Sequence, residues 1–540
     1  EMPLPFLERP SMPNNREMAE KRLFSLKSKL LKNPQQKADY LKFMSEIIGS
    51  GDAEVVMNSA PDNRESWYIP HFAVYHPKKP DKIRVVFDCS AKYKGVSLND
   101  HLLQGPDLMN RLVGILHRFR KGQIGIMCDI QKMFHMFKVT PSDRDYLRFL
   151  WFEDDKFEKV VEYRMTVHLF GATSSPGCAT YGLRHLARKH HDVNDPLSII
   201  AKDFIENDFY VDDGLISLDS TEDAVSIIEN AIDLCKSGNV RLHKFMSNNK
   251  DVLAAIPNSE KAETIKDLDL QSCDSILPAE RALGVKWCAD SDTFQFSVKP
   301  KQKNPPSKRS VLSTVASVFD PLGFLSPYIL CGKQILQEIC KDGNDWDDPL
   351  DPVTEEKWLA WEAELGSLDK VVIPRCLYPA DFGTVVRTEL HHFSDASKLA
   401  YGQCSYLRTI NSDGKVHVCF LASKSRVLPL NKSVTTPRAE LQAAVLSCKL
   451  AENLKADLRL EKLDQEVFWC DSTVVLGYIK NRQKRFHTYV SNRVQQIHDL
   501  SIDKQWIYVT SETNPADIAS RGTSIGGLTS SMWFDGPKFL

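Results

Sequence analysis

Thirteen cysteines are scattered over 540 residues without one Cys-x-x-Cys pair or a nearby His ladder. That spacing argues against a structural zinc site and leaves reduced thiols as the expectation. No run approaches the roughly 20 apolar residues that span a bilayer. No signal peptide is visible, and internal repeats and long low-complexity segments are missing. Neither sign of charge dominates. Lys and Arg number 69 against 71 Asp and Glu, a net charge of −2, so bulk charge points to no polyanionic partner. What remains is ordinary globular composition, 42% hydrophobic and 26% charged, with length for roughly three or four units. The chain opens on Glu1 rather than Met, and the expectation is a portion of a longer polypeptide.

Local patterning is richer. Residues 1–60 carry helical periodicity ending at a Gly stop, and WYIPHFAVYHPKKPDKIRVVFDCS (67–90) reads as two strands around a Lys/Pro/Asp turn. A helix is expected over Leu108–Arg120, then a short apolar strand, GQIGIMCDI, ending near Asp129. Ser175-Pro176 marks a helix start, and another helix is expected over 221–236. The Lys/Pro-rich stretch 299–309 is the linker candidate, followed by helical patterns at about 309–319, 326–342 and 353–367. Strand patterns restart near 388, and a helix from Pro437, the strand VFWCD and further α/β alternation complete the chain. Basic islands occur at Arg118–Lys121, 299–309 and Arg482–Arg485; each reads as solvated surface unless several line one groove.

YVDDGLIS (210–217) places adjacent carboxylates, Asp212 and Asp213, between two apolar stretches. Two neighbouring anions require open solvent or a cation. The flanks read as hairpin strands, with Gly214 able to relax the turn. A Tyr-x-Asp-Asp match alone arises by chance in about one chain in ten of this composition, so it decides nothing by itself. Nucleotidyl transfer, however, needs two divalent ions about 3.5–4 Å apart, held by hard oxygen ligands. Asp129 at a strand end and Asp212/Asp213 at a hairpin tip can supply them if the strands pair.

Six segments make a resemblance specific. RVVFDCSAKYKGVSLNDHLLQGPDL (84–108), CDIQKMFHMFKV (128–139), DRDYLRFLW (143–151), HLFGATSSPGCA (168–179), YVDDGLIS and LGVKWCADSDTFQF (283–296) occur in this order. Together they resemble the polymerase motifs of BEL/Pao-class LTR retrotransposon Pol polyproteins, in the reverse transcriptase–ribonuclease H portion. The resemblance implies Asp129 and Asp212 as principal metal ligands with Asp213 assisting. It places Phe134 beneath the sugar, excluding a 2′-hydroxyl; the alternative is a plain core Phe. Lys82 and Arg84 would meet the incoming triphosphate, where cations offset developing charge. Phe170 and Gly171 would back the template base and nucleotide, with Tyr210 beside them. Retroviral relatives often carry Gln in place of Phe170, but Phe is common among LTR elements. Lys244 would be a proton donor to pyrophosphate, or simply solvated, and LGVKW resembles the primer-grip hairpin.

The C-terminal part repeats the acidic theme. FSDAS ends a strand at Asp395, PRAELQAAV puts Glu440 in a first helical turn, FWCDST holds Asp471 and NPADIASRG holds Asp517. Each has a local explanation. Acidic groups suit helix N-termini, Asp471 reads as a cap, and Asn514-Pro515-Ala516-Asp517 reads as Ncap, N1 and N3. As a set they resemble the four acidic residues of a retroelement ribonuclease H. Retroviral versions carry a His shortly before the last Asp; none lies between Trp506 and Asp517, which puts a His-assisted product-release step in doubt.

The fold implied is α+β: a right-hand palm and fingers with a helical thumb or connection, followed by an α/β ribonuclease H-like domain. The implied boundaries are 1–60 (helical lead-in), 61–298 (fingers and palm), 299–385 (linker and thumb/connection) and 386–540 (ribonuclease H). TVASVFDPLGFLSPYIL (314–330) is also characteristic of these elements. The implied activity is RNA-directed DNA polymerase with ribonuclease H, using two Mg²⁺ or Mn²⁺ per site. Implied partners are an RNA template, DNA primer, RNA–DNA hybrid and dNTPs, with peptidase encoded upstream and integrase downstream, and no membrane. The expected location is cytoplasmic virus-like particles, with the nucleus as the alternative. Two other readings are a decayed or domesticated nucleic-acid-binding remnant and an aspartic peptidase segment. The Asp-Ser/Thr-Gly triplet a retroviral-type peptidase requires is absent.

Overall fold

The computed structural model describes residues 1–57, 65–76, 79–266, 277–298, 305–341, 343, 345–430, 434–460 and 462–540, excluding the side chains of 76 and 79–82. The lead-in forms two helices, Arg16–Lys32 and Pro34–Gly49. Asn33 ends the first and caps the second, its side chain accepting from the Gln36 amide before Pro34 fixes the entry. Ala19, Leu23, Leu26 and Leu30 make the buried stripe of the first helix. His71–His76 and Lys79–Phe87 form the expected antiparallel hairpin, Val74 opposite Arg84. The helix expected from Leu108 starts at Leu112 instead. The Asn110 side chain is spent on the carbonyls of Glu206 and Phe209, which holds the preceding stretch out of helical geometry.

One four-stranded sheet carries the first acidic group. Its strands are β1 (Ile124–Ile130), β2 (Phe209–Tyr210), β3 (Asp213–Leu218) and β4 (Leu242–Ser247), in the order β2-β3-β1-β4. A small antiparallel sheet holds the LGVKW hairpin. Ala282 pairs with Val285, and Leu283 and Gly284 both take positive φ, the type I′ pattern that suits strand twist. The helices Lys308–Ser317, α1 (Ser326–Ile339) and Pro352–Ala363 follow.

The C-terminal sheet has five strands: β5 (Val385–Ala396), β6 (Ala400–Asn411), β7 (Val416–Val427), β8 (Gln465–Cys470) and β9 (Trp506–Tyr508). Their order is β7-β6-β5-β8-β9, antiparallel from β5 to β7 and parallel from β5 to β9. The parallel crossovers are made through helices, as parallel pairing requires. α2 (Thr436–Leu458) lays Leu441, Ala444, Val445, Cys448 and Ala451 against Phe468, Cys470 and Trp506. The short helix α3 (Ala516–Arg521) holds the last acidic residue.

The chain divides into two compact units. The first comprises Glu1–Asn110, Cys128–Gly214 and Ser226–His243; the second comprises Arg111–Met127, Leu215–Val225 and Lys244–Leu540. Within the second, two fully buried guanidiniums tie loops together. Arg375 bonds Asp292 and the carbonyls of Phe119, Gly122 and Gln123, and Arg120 bonds the carbonyls of Arg375 and Phe420. Among the described residues, no helix is long and apolar enough to cross a membrane, and twelve cysteines are free thiols.

Candidate active sites

In the first unit, Asp129 sits near the end of β1, where the buried pattern of the strand gives way to a half-exposed position. The Ile130 amide donates to the Asp212 carbonyl at 2.9 Å, which draws the strand end alongside the YVDD turn. Tyr210 pairs with Asp213 across that turn. Its loop is only Val211 and Asp212, and Val211 has φ 59°. Positive φ at the first loop position alone is the type II′ pattern, which favours Gly; a β-branched residue there is a strained outlier.

Gly214 does not relax this turn. It lies in β3, paired with Phe209, and a Cβ there would come within 2.5 Å of the Phe209 ring. Burial, then the charges of Cys235, Asp129 and Asp213, hold the Cys128 thiol far above its ordinary pKa, so both carboxylates lie in electrostatic reach of one group.

His243, on β4, places Nε2 3.1 Å from Asp129 Oδ1. Sequence reasoning passed over this residue while weighing its neighbour Lys244. The period-2 alternation of a strand, which puts adjacent side chains on opposite faces, was the available signal. Lys244 is exposed at φ 55° and belongs to the second unit.

Phe134 is 6% exposed in a 3₁₀ turn, Met133–Met136, and the exposed Phe170 stands edge-on to it with ring centroids 4.5 Å apart. Gly171 has φ 114°, and a Cβ there would fall 2.0 Å from the Phe87 carbonyl oxygen. Asn99 fastens this turn, donating to the Gly171 carbonyl and accepting from the Thr173 amide. Arg84 is exposed on the hairpin. The Lys82 side chain lies outside the described residues.

In the second unit, Asp395 ends β5 and is buried. Ser520 Oγ donates to its Oδ2 at 2.5 Å. Burial pushes its carboxyl up to about 6, with Asp471 and Asp517 adding repulsion. Glu440 is raised too, by burial, with Asp471 adding and the 2.6 Å bond from Ser472 Oγ opposing. Asp471 accepts from Ser511 Oγ at 2.7 Å, and Asp517 accepts from Arg521 Nε at 2.6 Å. The Arg521 guanidinium is raised first by Asp517, and Asp395 and Asp471 also act on it. The four acidic residues therefore act electrostatically on shared neighbours.

Two local readings need correction. Glu440 is the fifth residue of α2, one position beyond the first turn, because the helix starts at Thr436 rather than Pro437. The cap after β8 is Ser472, whose hydroxyl accepts from the Val475 amide, and not Asp471.

Among the described residues, no three His, Cys, Asp or Glu side chains are drawn close enough to hold a metal ion. The physical reason in the second unit is that each carboxylate is turned into a local bond to Ser520, Ser472, Ser511 or Arg521. The donor chemistry still fits a hard divalent cation: oxygen ligands only, with two of the four carboxyls raised by burial and, to a lesser degree, by the charge of Asp471.

Comparison with known proteins first defines the class. A solved structure of foamy viral protease-reverse transcriptase dRH in complex with ds DNA shares 13% identity, covering 89% of this chain and 70% of that chain, with a TM-score of 0.58. A foamy viral protease-reverse transcriptase in complex with RNA/DNA hybrid shares 13% identity over 95% of this chain and 56% of that one, with a TM-score of 0.52. In complex with dsDNA the values are 13%, 88%, 83% and 0.53. This chain thus has the mixed α/β fold of a retroviral reverse transcriptase with a ribonuclease H domain. Residues 307–472 match the Pao retrotransposon-like RNaseH-like domain family, a span that includes Asp395, Glu440 and Asp471 and stops before Asp517. No curated protein matches the sequence. Residues 307–472 are thus similar to that family, and over most of its length the chain shares the fold of the foamy viral structures.

Proposed function

We propose that the chain is an RNA-directed DNA polymerase coupled to a ribonuclease H, copying element RNA into DNA and hydrolysing the RNA strand of the hybrid. The observation that carries this reading is the gathering of acidic groups in two places. Asp129 is drawn beside the Asp212–Asp213 turn, and Asp395, Glu440, Asp471 and Asp517 form an electrostatically coupled set. Divalent ions, Mg²⁺ or Mn²⁺, would supply Lewis acidity and a lowered hydroxyl pKa at both sets. The chain's own residues do the rest. Asp129, Asp212 and Asp213 would hold ions at the first set, and the four carboxylates would hold them at the second after exchanging their present local partners. Phe134, supported by Phe170, would close the space below the sugar, while Gly171 lets backbone approach where a side chain cannot fit.

The partners proposed are an RNA template, a DNA primer, an RNA–DNA hybrid and dNTPs, with peptidase and integrase elsewhere in the polyprotein and cytoplasmic virus-like particles as the location. The foamy viral neighbours, solved with dsDNA and with RNA/DNA hybrid, support the nucleic-acid part. The test is extension of a DNA primer on an RNA template with Mg²⁺ or Mn²⁺, with hybrid degradation followed in parallel. Both activities are expected. Tight hybrid binding with neither activity would replace this reading with that of a binding remnant.

A further inference from the structure

β7 is an edge strand, and edge strands carry exposed side chains that need a reason. Lys424 and Arg426 lie two apart on it, opposite Gln403 and Tyr401 of β6, and therefore point from the same face. Both are exposed. α1 runs beside this strand. Gln337 Nε2 donates to the Leu428 carbonyl at 2.6 Å, and Ser423 Oγ donates to the Gly323 carbonyl in the loop that enters the helix. Lys333 lies one turn before Gln337 on the same face of α1, so it faces β7 too.

Three cations are thus collected by two elements whose placement is fixed by backbone bonds. Burial and then mutual repulsion pull the Lys333 and Lys424 ammoniums below their ordinary range. Asp320 is the carboxylate that acts on Lys333, but its oxygens are taken by the amides of Gly323, Phe324 and Leu325. Among the described residues, none of the three cations has an ion pair. The basic islands legible in the sequence do not include them, because they come from two segments some 90 residues apart.

We infer that Lys333, Lys424 and Arg426 form a docking surface for the phosphate backbone of a nucleic-acid duplex, on the ribonuclease H-like part of the chain. Among the described residues, these three like charges are opposed only by Asp320, whose oxygens already accept from three backbone amides. The cations repel one another, and phosphates two or three at a time are their natural complement. The register gives the surface its place: Ser425, between the two β7 cations, pairs with Gly402, which pairs with Asp395. The two β7 cations therefore lie two strands, about 10 Å, from the strand of Asp395, the most buried of the four site carboxylates. Lys424 and Arg426 point from the face opposite Asp395, so they would hold duplex away from the reacting phosphate and not at it.

The inference rests on the nucleic-acid reading above, but its test needs no catalysis. The full chain binds a labelled RNA–DNA hybrid in EDTA, with affinity measured from about 50 to about 300 mM KCl. Changing all three residues (K333Q/K424Q/R426Q) is expected to make the log–log salt slope shallower by about 2 to 3, near 0.9 per lost phosphate contact. Relief of repulsion is expected to leave the melting temperature unchanged or slightly raised. An unchanged slope with a folded variant would overturn the inference even if cleavage and extension run normally. A shallower slope in a protein that neither cleaves nor extends would sustain the surface while removing the catalytic reading.

Discussion

Val211 carries a left-handed backbone between Tyr210 and Asp212, a position that costs a β-branched residue on the order of 1–3 kcal/mol. Strain of this kind persists only where its surroundings over-determine it, and here the surroundings are the turn that sets Asp212 beside the Asp129 strand. The acidic residues themselves were legible: Asp129, Asp395 and Asp471 stand where apolar runs end, Asp212 and Asp213 between two apolar stretches, and Glu440 and Asp517 beside helix-start signals. Their partners were legible only in part. Ser520 and Ser472 meet Asp395 and Glu440 through space, and no spacing in the sequence flags them, whereas strand alternation points to His243 and the i,i+4 spacing to Arg521.

Two predictions belong at this scale. Phe134→Ala removes the ring beneath the proposed sugar site and is expected to raise ribonucleotide incorporation at least about tenfold; steady-state competition between dNTP and rNTP measures it. Unchanged discrimination would return Phe134 to a packing role against Phe170. Gly171→Ala forces a Cβ against the Phe87 carbonyl at positive φ, with an expected loss of at least about 2 kcal/mol in urea unfolding. A loss below about 0.5 kcal/mol would show that the turn relaxes freely.

At the scale of elements, periodicity located the long helices and the strands that end in Asp129, Asp395 and Asp471, but did not mark the strands at 148–152, 160–165 and 242–247 or the helix at 196–207, and some ends went wrong for local chemical reasons. Asn110 bonds carbonyls instead of entering a helix, and α2 starts at Thr436, a residue earlier than Pro437 suggested. The first unit also holds a pH-sensitive junction that patterning did not reveal. His71, on the 71–76 strand, is fully buried; its Nε2 donates to the Leu150 carbonyl, so Nδ1 accepts from Tyr40 Oη at 2.5 Å. Burial lowers its pKa from 6.5 to about 4. The neutral form is the folded form, so the contribution is fully present above about 6.5 and fades as pH falls toward 4. That amounts to about 3 kcal/mol. Melting curves between pH 7 and 4.5 are expected to show the first unit losing stability, and His71→Asn to flatten part of that dependence. An identical pH slope in the variant would mean the group is not buried neutral.

For the whole molecule, each compact unit is assembled from separated stretches: residues 111–127 and 215–225 join 244–540 in one, and 128–214 joins 1–110 in the other. Within the second unit, buried ties such as Arg375 to Asp292 join separated stretches, and they cannot be read along the chain. The two acidic sets fall in different units, which makes their independence the central claim. The direct measurement assays primer extension and hybrid cleavage side by side for Asp212→Asn and Asp471→Asn, with circular dichroism confirming the fold. A neutral amide keeps the shape of the carboxylate but binds divalent cations poorly. Asp212→Asn is expected to lose extension by at least about a hundredfold while cleaving hybrid, and Asp471→Asn the reverse. Retained extension in the first variant, or loss of both activities in either folded variant, would contradict the account.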